Sequence, residues 1–132
     1  MGPDPILKQL EYILDLLNTI LDKMDDIGRP KSSNVLWRVF FPYGEFARQG
    51  QTTKEAAAMM VDVHNRLEDM INTLRKRAHP FVAKIRELNY LDLEGMSEKL
   101  IELPARYQYM GPQVDELRYK VEQVIKEYKT ET

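Results

Sequence analysis

Apolar side chains recur in alternating steps of four and three residues along the first thirty positions. On a helix these positions share one face, and they are Ile6, Leu10, Ile13, Leu17, Ile20, Met24 and Ile27. The alternation is a heptad pattern. A flanking apolar column widens this face, which favours a helix inside a bundle over a two-stranded coiled coil. That column consists of Leu7, Leu14 and Leu21.

The ends of this first helix are marked by capping residues. Asp4 is suited to the N-cap, and Pro5 to the first helical position, where its missing N–H costs no hydrogen bond. Gly28 and Pro30 are typical of residues that follow a helix. The pattern therefore predicts a helix from about residue 5 to residue 27.

Residues 29–51 are less regular. A possible cap at residues 32–34 precedes the apolar run Val35–Phe41, whose periodicity alone fits either a short buried helix or a strand. A lone strand would have no partner elsewhere in the chain, so we predict a helix. Pro42, Gly44 and Gly50 predict that the segment is broken up after this run.

A third helix is predicted from about residue 52 onwards. Thr52 and Glu55 have the spacing of a capping box, and the alanines at 56–58 allow close packing. The dipeptide His79–Pro80 predicts either a kink or a restart. The apolar seam of this helix is formed by Met60, Val63, Leu67, Met70 and Leu74. The apolar phase resumes after the dipeptide, which is compatible with one kinked, continuous helix, at Ala78, Phe81, Ile85 and Leu88.

Two further helices complete the predicted fold. A short one runs around Leu93, Met96, Leu100 and Leu103 and ends at Pro104. Gly111–Pro112 is predicted to open the last helix, with its seam at Val114, Leu117, Val121, Val124 and Tyr128. We therefore predict an all-α fold, a helical bundle of four to five helices with an N-terminal helical hairpin or arm. The hairpin would span residues 1–50 and the bundle residues 51–132, within a single structural domain.

Composition supports a folded domain and excludes several classes of function. With 132 residues, 43% hydrophobic and 30% charged, the chain has the size and make-up of one globular domain. It has no cysteine, which excludes a disulfide scaffold, a thiolate zinc site and a cysteine nucleophile. Because no signal peptide and no apolar run near the ~20 residues of a membrane span are visible, we expect neither signal-directed secretion nor integral membrane association.

No pattern of catalytic or metal-binding residues stands out. Neither histidine, His64 or His79, follows a glutamate at the Glu-x-x-His spacing of carboxylate-bridged metal bundles. His64, with Asp62 and Glu68 nearby, is a metal or catalytic candidate; the alternative is a surface or interface histidine. No serine lies in a nucleophile elbow, and the glycines form no nucleotide-binding loop. We therefore expect no enzyme activity, no metal and no cofactor.

Charge is balanced overall, at a net −2, but uneven along the chain. One run of cations contains no acidic residue and consists of Arg75, Lys76, Arg77, Lys84 and Arg86. A second set lies among aromatic residues and consists of Arg29, Lys31, Arg38 and Arg48. Both sets are candidates for contacts to nucleic-acid phosphates. The alternative for the first run is compensation of helix C-termini together with a solvated face.

Aromatic side chains are concentrated in two stretches. The first contains Trp37, Phe40, Phe41, Tyr43 and Phe46, and the second contains Tyr107, Tyr109 and the neighbouring Met110. Aromatic residues and methionine are enriched in the centres of protein–protein interfaces. The same side chains would fill the core if the segment folds over the bundle, so core and interface both remain open. If the hairpin projects, its apolar seam has to be covered by a neighbouring copy.

In size and layout, a helical hairpin arm followed by a compact bundle without cysteine, the chain resembles the coat (major capsid) subunits of filamentous archaeal viruses. The resemblance covers the whole chain and rests on architecture, without a diagnostic motif. It implies subunits that interlock through their arms and wrap DNA with basic faces. The first fifty residues depart from that picture, since their six basic and seven acidic residues sum to −1.

These observations predict a non-enzymatic structural or assembly protein that self-associates through amphipathic helices, most concretely a DNA-wrapping coat subunit. Its partners would be itself or a related helical subunit, with nucleic acid as a further candidate partner, in a virion or in the cytoplasm. The alternative is a small helical adaptor or subunit of a nucleoprotein complex that contacts nucleic acid through the basic run. An accessory domain of an enzyme, without chemistry of its own, is a third hypothesis.

Overall fold

The chain is an all-α helical bundle, as predicted. A computed structural model describes the backbone of residues 4–28 and 42–131 and the side chains of residues 4–27 and 50–131. Within these residues there are five α-helices and no strand. The helices are α1 (Pro5–Gly28), α2 (Pro42–Lys76), α3 (Val82–Glu87), α4 (Leu93–Glu102) and, after a 3-10 turn at Pro104–Arg106, α5 (Tyr107–Glu131).

The first two helices pack side by side in opposite directions. Near the end of α1, the Lys23 ammonium donates to the Glu55 carboxylate of α2. Near its start, Gln9 accepts a hydrogen bond of 3.2 Å from Arg66, eleven residues further along α2. Rising residue numbers in α1 thus meet falling ones in α2, which defines an antiparallel pair.

The remaining helices complete an up-down-up-down bundle whose third rod is broken. The Tyr128 hydroxyl near the end of α5 donates to Asp4 at the start of α1, and the 3-10 turn before α5 contacts α1. These two helices are therefore antiparallel. The third rod, α3 followed by α4, runs back along α2, with Asn89 bound to Glu68 and His64 facing Glu94.

The heptad seams form one continuous core. Every seam residue of α1 except the half-buried Ile6 is buried, and every predicted seam residue of α2 and α5 is buried as well. Because α1 shares this core with the other helices, residues 5–27 lie within the bundle rather than projecting from it. The boundary proposed between residues 50 and 51 falls inside the continuous helix α2. None of the described helices is long and apolar enough to cross a membrane.

The start of α2 differs from the prediction. The helix begins at Pro42 and passes through Gly44 and Gly50, so the predicted break and the capping box at Thr52 are both wrong. Pro42 opens the helix at no hydrogen-bond cost. Glu55 does not cap; it binds Lys23 and Gln51, and both contacts hold the pKa of its carboxyl below the ordinary value. The helix thus continues through two glycines despite their low helix propensity.

Between α2 and α3 the chain makes a defined break, so the kinked, continuous helix is wrong and the restart is correct. The Ala78 N–H donates to the Arg75 carbonyl at 3.0 Å, and the His79 N–H to the Leu74 carbonyl at 2.9 Å. This pair of hydrogen bonds is the Schellman motif, which requires a left-handed residue between them. Ala78 takes that conformation, with φ 49°. Phe81, Ile85 and Leu88 are then buried as predicted, whereas Ala78 is exposed.

Replacing Ala78 with glycine is expected to raise the free energy of unfolding by about 0.5–1 kcal/mol, because glycine has no Cβ that disfavours a positive φ. The midpoint of urea denaturation measures the gain. Ala83→Gly, at an exposed position inside α3, is the matched control and is expected to lower stability by about 1 kcal/mol. A loss of stability in Ala78→Gly would contradict the assigned turn.

The start of α5 also differs from the prediction. The helix begins at Tyr107 and includes Pro112, instead of beginning at Gly111–Pro112. Proline inside a helix forgoes a backbone hydrogen bond, but the added first turn places Met110 in the core. The preceding helix α4 has Asp92 as its N-cap, whose carboxylate accepts from the Gly95 N–H at 3.1 Å. Leu103, predicted as part of its seam, is 50% exposed.

Candidate interaction surfaces

Among the described residues, no three histidine or acidic side chains are grouped as metal ligands would be. His64 faces α4, with Nε2 3.4 Å from the Glu94 carboxylate, and its Nδ1 is buried without a hydrogen-bond partner. The acidic neighbours expected from the sequence bind elsewhere. Asp62 pairs with Arg66 at 3.1 Å, and Glu68 accepts from Asn89 at 3.0 Å. His64 thus contacts a single carboxylate between two helices.

Several predicted interaction residues lie outside the described part of the chain. These are Arg29, Lys31 and Arg38 of the cation set and Trp37, Phe40 and Phe41 of the aromatic set. The helix predicted over Val35–Phe41 also lies there. Arg48, Tyr43 and Phe46 belong to α2, but their side chains are not among those described. The roles assigned to these nine residues remain predictions.

The basic run between residues 75 and 86 does not form one uniform patch. Lys84 is bound to Glu127 of α5 at 3.1 Å, and that carboxylate raises the pKa of the Lys84 ammonium. Arg77 lies at a groove between α1 and α2. Arg75 and Arg86, although eleven residues apart, line the same cavity. The structure thus brings two of the five cations together and separates Lys84 and Arg77 from them.

The cavity shared by Arg75 and Arg86 lies between α2 and α3. It has a volume of about 330 Å³ and is also lined by Glu68, Ile71 and Asn89. The Glu68 carboxylate already accepts a hydrogen bond from the Asn89 amide. Both arginines are exposed, and neither forms a salt bridge with any residue that the structure describes. Their guanidinium groups are therefore available to an anion.

A second surface lies where α4 meets α5. Ile101 is 51% exposed, Leu103 50% and Tyr109 76%, although all three are large and apolar or aromatic. We call these three residues the apolar end patch. Tyr107, predicted to belong to an interface together with Tyr109, is half-buried and packs against the core.

Tyr109 was among the interface residues predicted from the sequence, whereas Ile101 and Leu103 were not. Ile101 directly follows the buried Leu100, so it points away from the seam of α4. Leu103 was included in that seam by its spacing, but it lies just after the last helical residue, where helical periodicity no longer applies. Its position directly before Pro104 was the available signal, since a residue preceding proline is driven out of the helical region.

The described residues that flank residues 29–41 lie at the same end of the bundle as the apolar end patch. The 3-10 turn at the patch contacts α1, and α1 is antiparallel to α5, so α1 ends where α5 begins. The pairing of Lys23 with Glu55 places the start of α2 at this end too. The chain therefore leaves α1 at residue 28 and enters α2 at residue 42 on the side of the patch.

The other exposed aromatic side chains are scattered. The Tyr12 ring lies against the Arg66 guanidinium, 3.9 Å from ring centre to Cζ, and the Tyr90 ring lies 4.1 Å from the Lys120 ammonium. These are cation–π contacts within the subunit. Tyr119, 57% exposed, lies in the middle of α5. They do not extend the apolar end patch.

Searches of protein-family models, curated proteins and solved structures find no match to this chain.

Proposed function

We propose that the protein is a non-enzymatic structural subunit that self-associates, and that the apolar end patch is part of the contact between copies. The observation that carries this proposal is the exposure of Ile101, Leu103 and Tyr109 within nine residues. The helical seams, by contrast, are buried in the subunit itself. Exposed apolar side chains that form a patch on a folded domain mark interaction sites, and we infer such a patch from the three residues that flank the 3-10 turn.

A second copy of the chain is the partner that we favour. The patch lies at the end of the bundle from which residues 28 and 42 lead into the aromatic segment, residues 35–46, and we propose that this segment adds interface-prone side chains to the same contact. Most soluble oligomers are built from identical subunits, whose contact often uses the same surface on both partners. Two copies meeting end to end would each supply a patch and an aromatic segment.

A coat subunit of a filamentous virion is the most concrete form of this proposal. It is supported by the size and helical layout that the chain shares with such subunits. The burial of α1 changes how copies would meet, because the α1 seam is not available to a neighbour. Contact would instead involve the end patch, while cations at the opposite end, including Arg75 and Lys76, would remain free to approach DNA.

Self-association predicts a concentration-dependent mass in light scattering. The double variant Leu103→Ser/Tyr109→Ser is expected to weaken association at least about tenfold, because buried aromatic anchors dominate interface energies. Tyr119→Ser, which removes another exposed tyrosine elsewhere on α5, is the matched control and is expected to leave association unchanged.

A sharp monomer at high concentration of the unaltered protein would contradict the proposal. Equal association of the double variant and the control would remove the end patch from it. Electron microscopy of the native source would show directly whether filaments exist, and thus tests the coat version separately.

A second candidate function is a small subunit of a nucleoprotein complex that touches nucleic acid through the basic run. Arg75, Lys76, Arg77 and Arg86 are all exposed. Cations without an internal ion pair are suited to phosphate contacts, which make binding steeply dependent on salt. An oligonucleotide titration at several salt concentrations tests this candidate independently of the oligomeric state.

A further inference from the structure

We propose that the cavity between α2 and α3 is a binding site for one phosphoryl group, which Arg75 and Arg86 hold from two sides. The site gives the second candidate function a defined location. The site rests on the second candidate function only if its phosphoryl group belongs to a nucleic acid. The site does not rest on self-association.

The two arginines reach the cavity from different helices. Arg75 is in the last turn of α2, and Arg86 is in α3, and both side chains line the cavity. Its volume of about 330 Å³ leaves room for a phosphate together with part of the molecule that carries it. Guanidinium groups present planar, paired donors that match the oxygens of a phosphate, and arginine is the residue that commonly fills this role.

The charges around the cavity favour an anion. Two arginines line it together with one acidic residue, Glu68, whose carboxylate accepts a hydrogen bond from Asn89. A cation near a helix C-terminus also compensates the helix dipole. Dipole compensation accounts for a cation on each helix, but it does not require that Arg75 and Arg86 line one cavity.

The backbone that carries the two arginines is fixed by buried contacts. The turn at Ala78 closes α2 through two backbone hydrogen bonds, and the His79 Nδ1 accepts from the Phe81 N–H at 3.0 Å. Phe81 then packs edge-on against Tyr128, with ring centres 5.1 Å apart, and Ile85 is fully buried. A site whose supports are ordered before binding loses less entropy when the ligand arrives.

Two probes separate the sources of a phosphoryl group: inorganic phosphate and a twelve-nucleotide oligothymidylate, each titrated at low salt by calorimetry or fluorescence. Arg75→Gln and Arg86→Gln are each expected to weaken binding by about tenfold or more, since a charge-assisted pair is lost. The controls are Lys76→Gln, at the last residue of α2, and Arg77→Gln, one residue beyond it. Each removes one positive charge outside the cavity lining and is expected to change binding by less than about threefold.

One further variant is expected to strengthen binding of the two probes instead of weakening it. Glu68→Gln keeps an oxygen that can accept from Asn89 but removes the negative charge beside the cavity. It is expected to strengthen binding by about twofold to fivefold, because it removes a repulsion at short range. Coincident thermal unfolding curves for all variants would show that the changes act on binding rather than on folding.

Binding of phosphate, lost in the two cavity variants, supports the site and identifies a small phosphorylated ligand. Binding of the oligonucleotide alone, with the same pattern of variants, also supports it and identifies a nucleic-acid backbone. Equal weakening by all four arginine and lysine variants would overturn the site while leaving a diffuse nucleic-acid contact intact. Failure of both probes to bind would overturn the site and the second candidate function together.

Discussion

Replacing Leu17 with alanine is expected to lower the free energy of unfolding by about 3–5 kcal/mol. Leu17 is fully buried on α1, the helix that packs against both α2 and α5. Removing its branched end leaves a cavity that three packed helices close only in part. Domains of this size have total stabilities of about 5–15 kcal/mol, so the variant would lose a large share of the total.

Urea denaturation followed by circular dichroism measures this loss. Leu14→Ala, at a half-buried position on the same helix, is the matched control and is expected to cost about half as much or less. The result also tests the place of α1 in the molecule. If residues 1–50 were a projecting arm, Leu17→Ala would leave the unfolding transition of the bundle unchanged.

Replacing Tyr128 with phenylalanine is expected to cost about 1.5–3 kcal/mol, which is typical of a hydrogen bond to a charged group. The buried Tyr128 hydroxyl donates to Asp4, the same residue whose other carboxylate oxygen accepts from the Ile6 N–H at the start of α1. One carboxylate thus caps α1 and ties it to the end of α5. Phenylalanine keeps the ring packing on Phe81 and removes only the hydroxyl. The measured change in the free energy of unfolding therefore reflects the loss of the hydrogen bond to Asp4.

The hydrogen bond between Tyr128 and Asp4 also predicts how stability depends on pH. The hydrogen bond from Tyr128 is the main cause that lowers the pKa of Asp4 below its ordinary value of 3.8. A lowered pKa contributes stability at higher pH that is lost as the pH falls through the folded-state value. Burial, together with the bond to Asp4, raises the pKa of Tyr128 from 10.0 to about 12. The raised pKa of Tyr128 contributes to the free energy of unfolding fully below pH 10, and this contribution is lost as the pH rises towards 12.

Both pH-dependent losses are expected to shrink in Tyr128→Phe. Tyr119→Phe, which alters an exposed tyrosine on the same helix, serves as the control and is expected to leave the acid and alkaline limbs unchanged. The measurement is the free energy of unfolding between about pH 2 and pH 12. Identical pH profiles for the unaltered protein and Tyr128→Phe would contradict the assigned pairing.

The fold could be predicted wherever a helix carries a long, regular seam. Leu10 and Leu17 in α1, or Leu67 in α2, repeat with the period of a helix, and the structure buries them all. Helix ends were less predictable, because packing decides them. A local capping signal at Thr52 was overridden by a helix already running from Pro42. At the break before α3 the sequence signal was Pro80, whereas Ala78 gave no sign of it, because Ala78 adopts a conformation that glycine prefers.

The two surfaces depend on relations that lie outside local sequence. Arg75 and Arg86 were recognised as members of a basic run, but only the break at Ala78 and the packing of α3 place them at one cavity. Lys84, from the same run, binds Glu127, a residue forty-three positions further along the chain. No periodicity connects such residues, so neither the shared cavity nor the pairing could be inferred beforehand.

The interruption of the third rod affects which part of the domain unfolds locally first. The pieces α3 and α4 are 6 and 10 residues long, shorter than the ~12–15 residues that an isolated helix needs to persist in water. Their helicity is therefore maintained by contact with the long neighbours, α2 above all. Partial opening of the domain should begin in this rod and leave the other three rods paired. Arg86 belongs to this rod, so an anion that bridged it to α2 would oppose that opening.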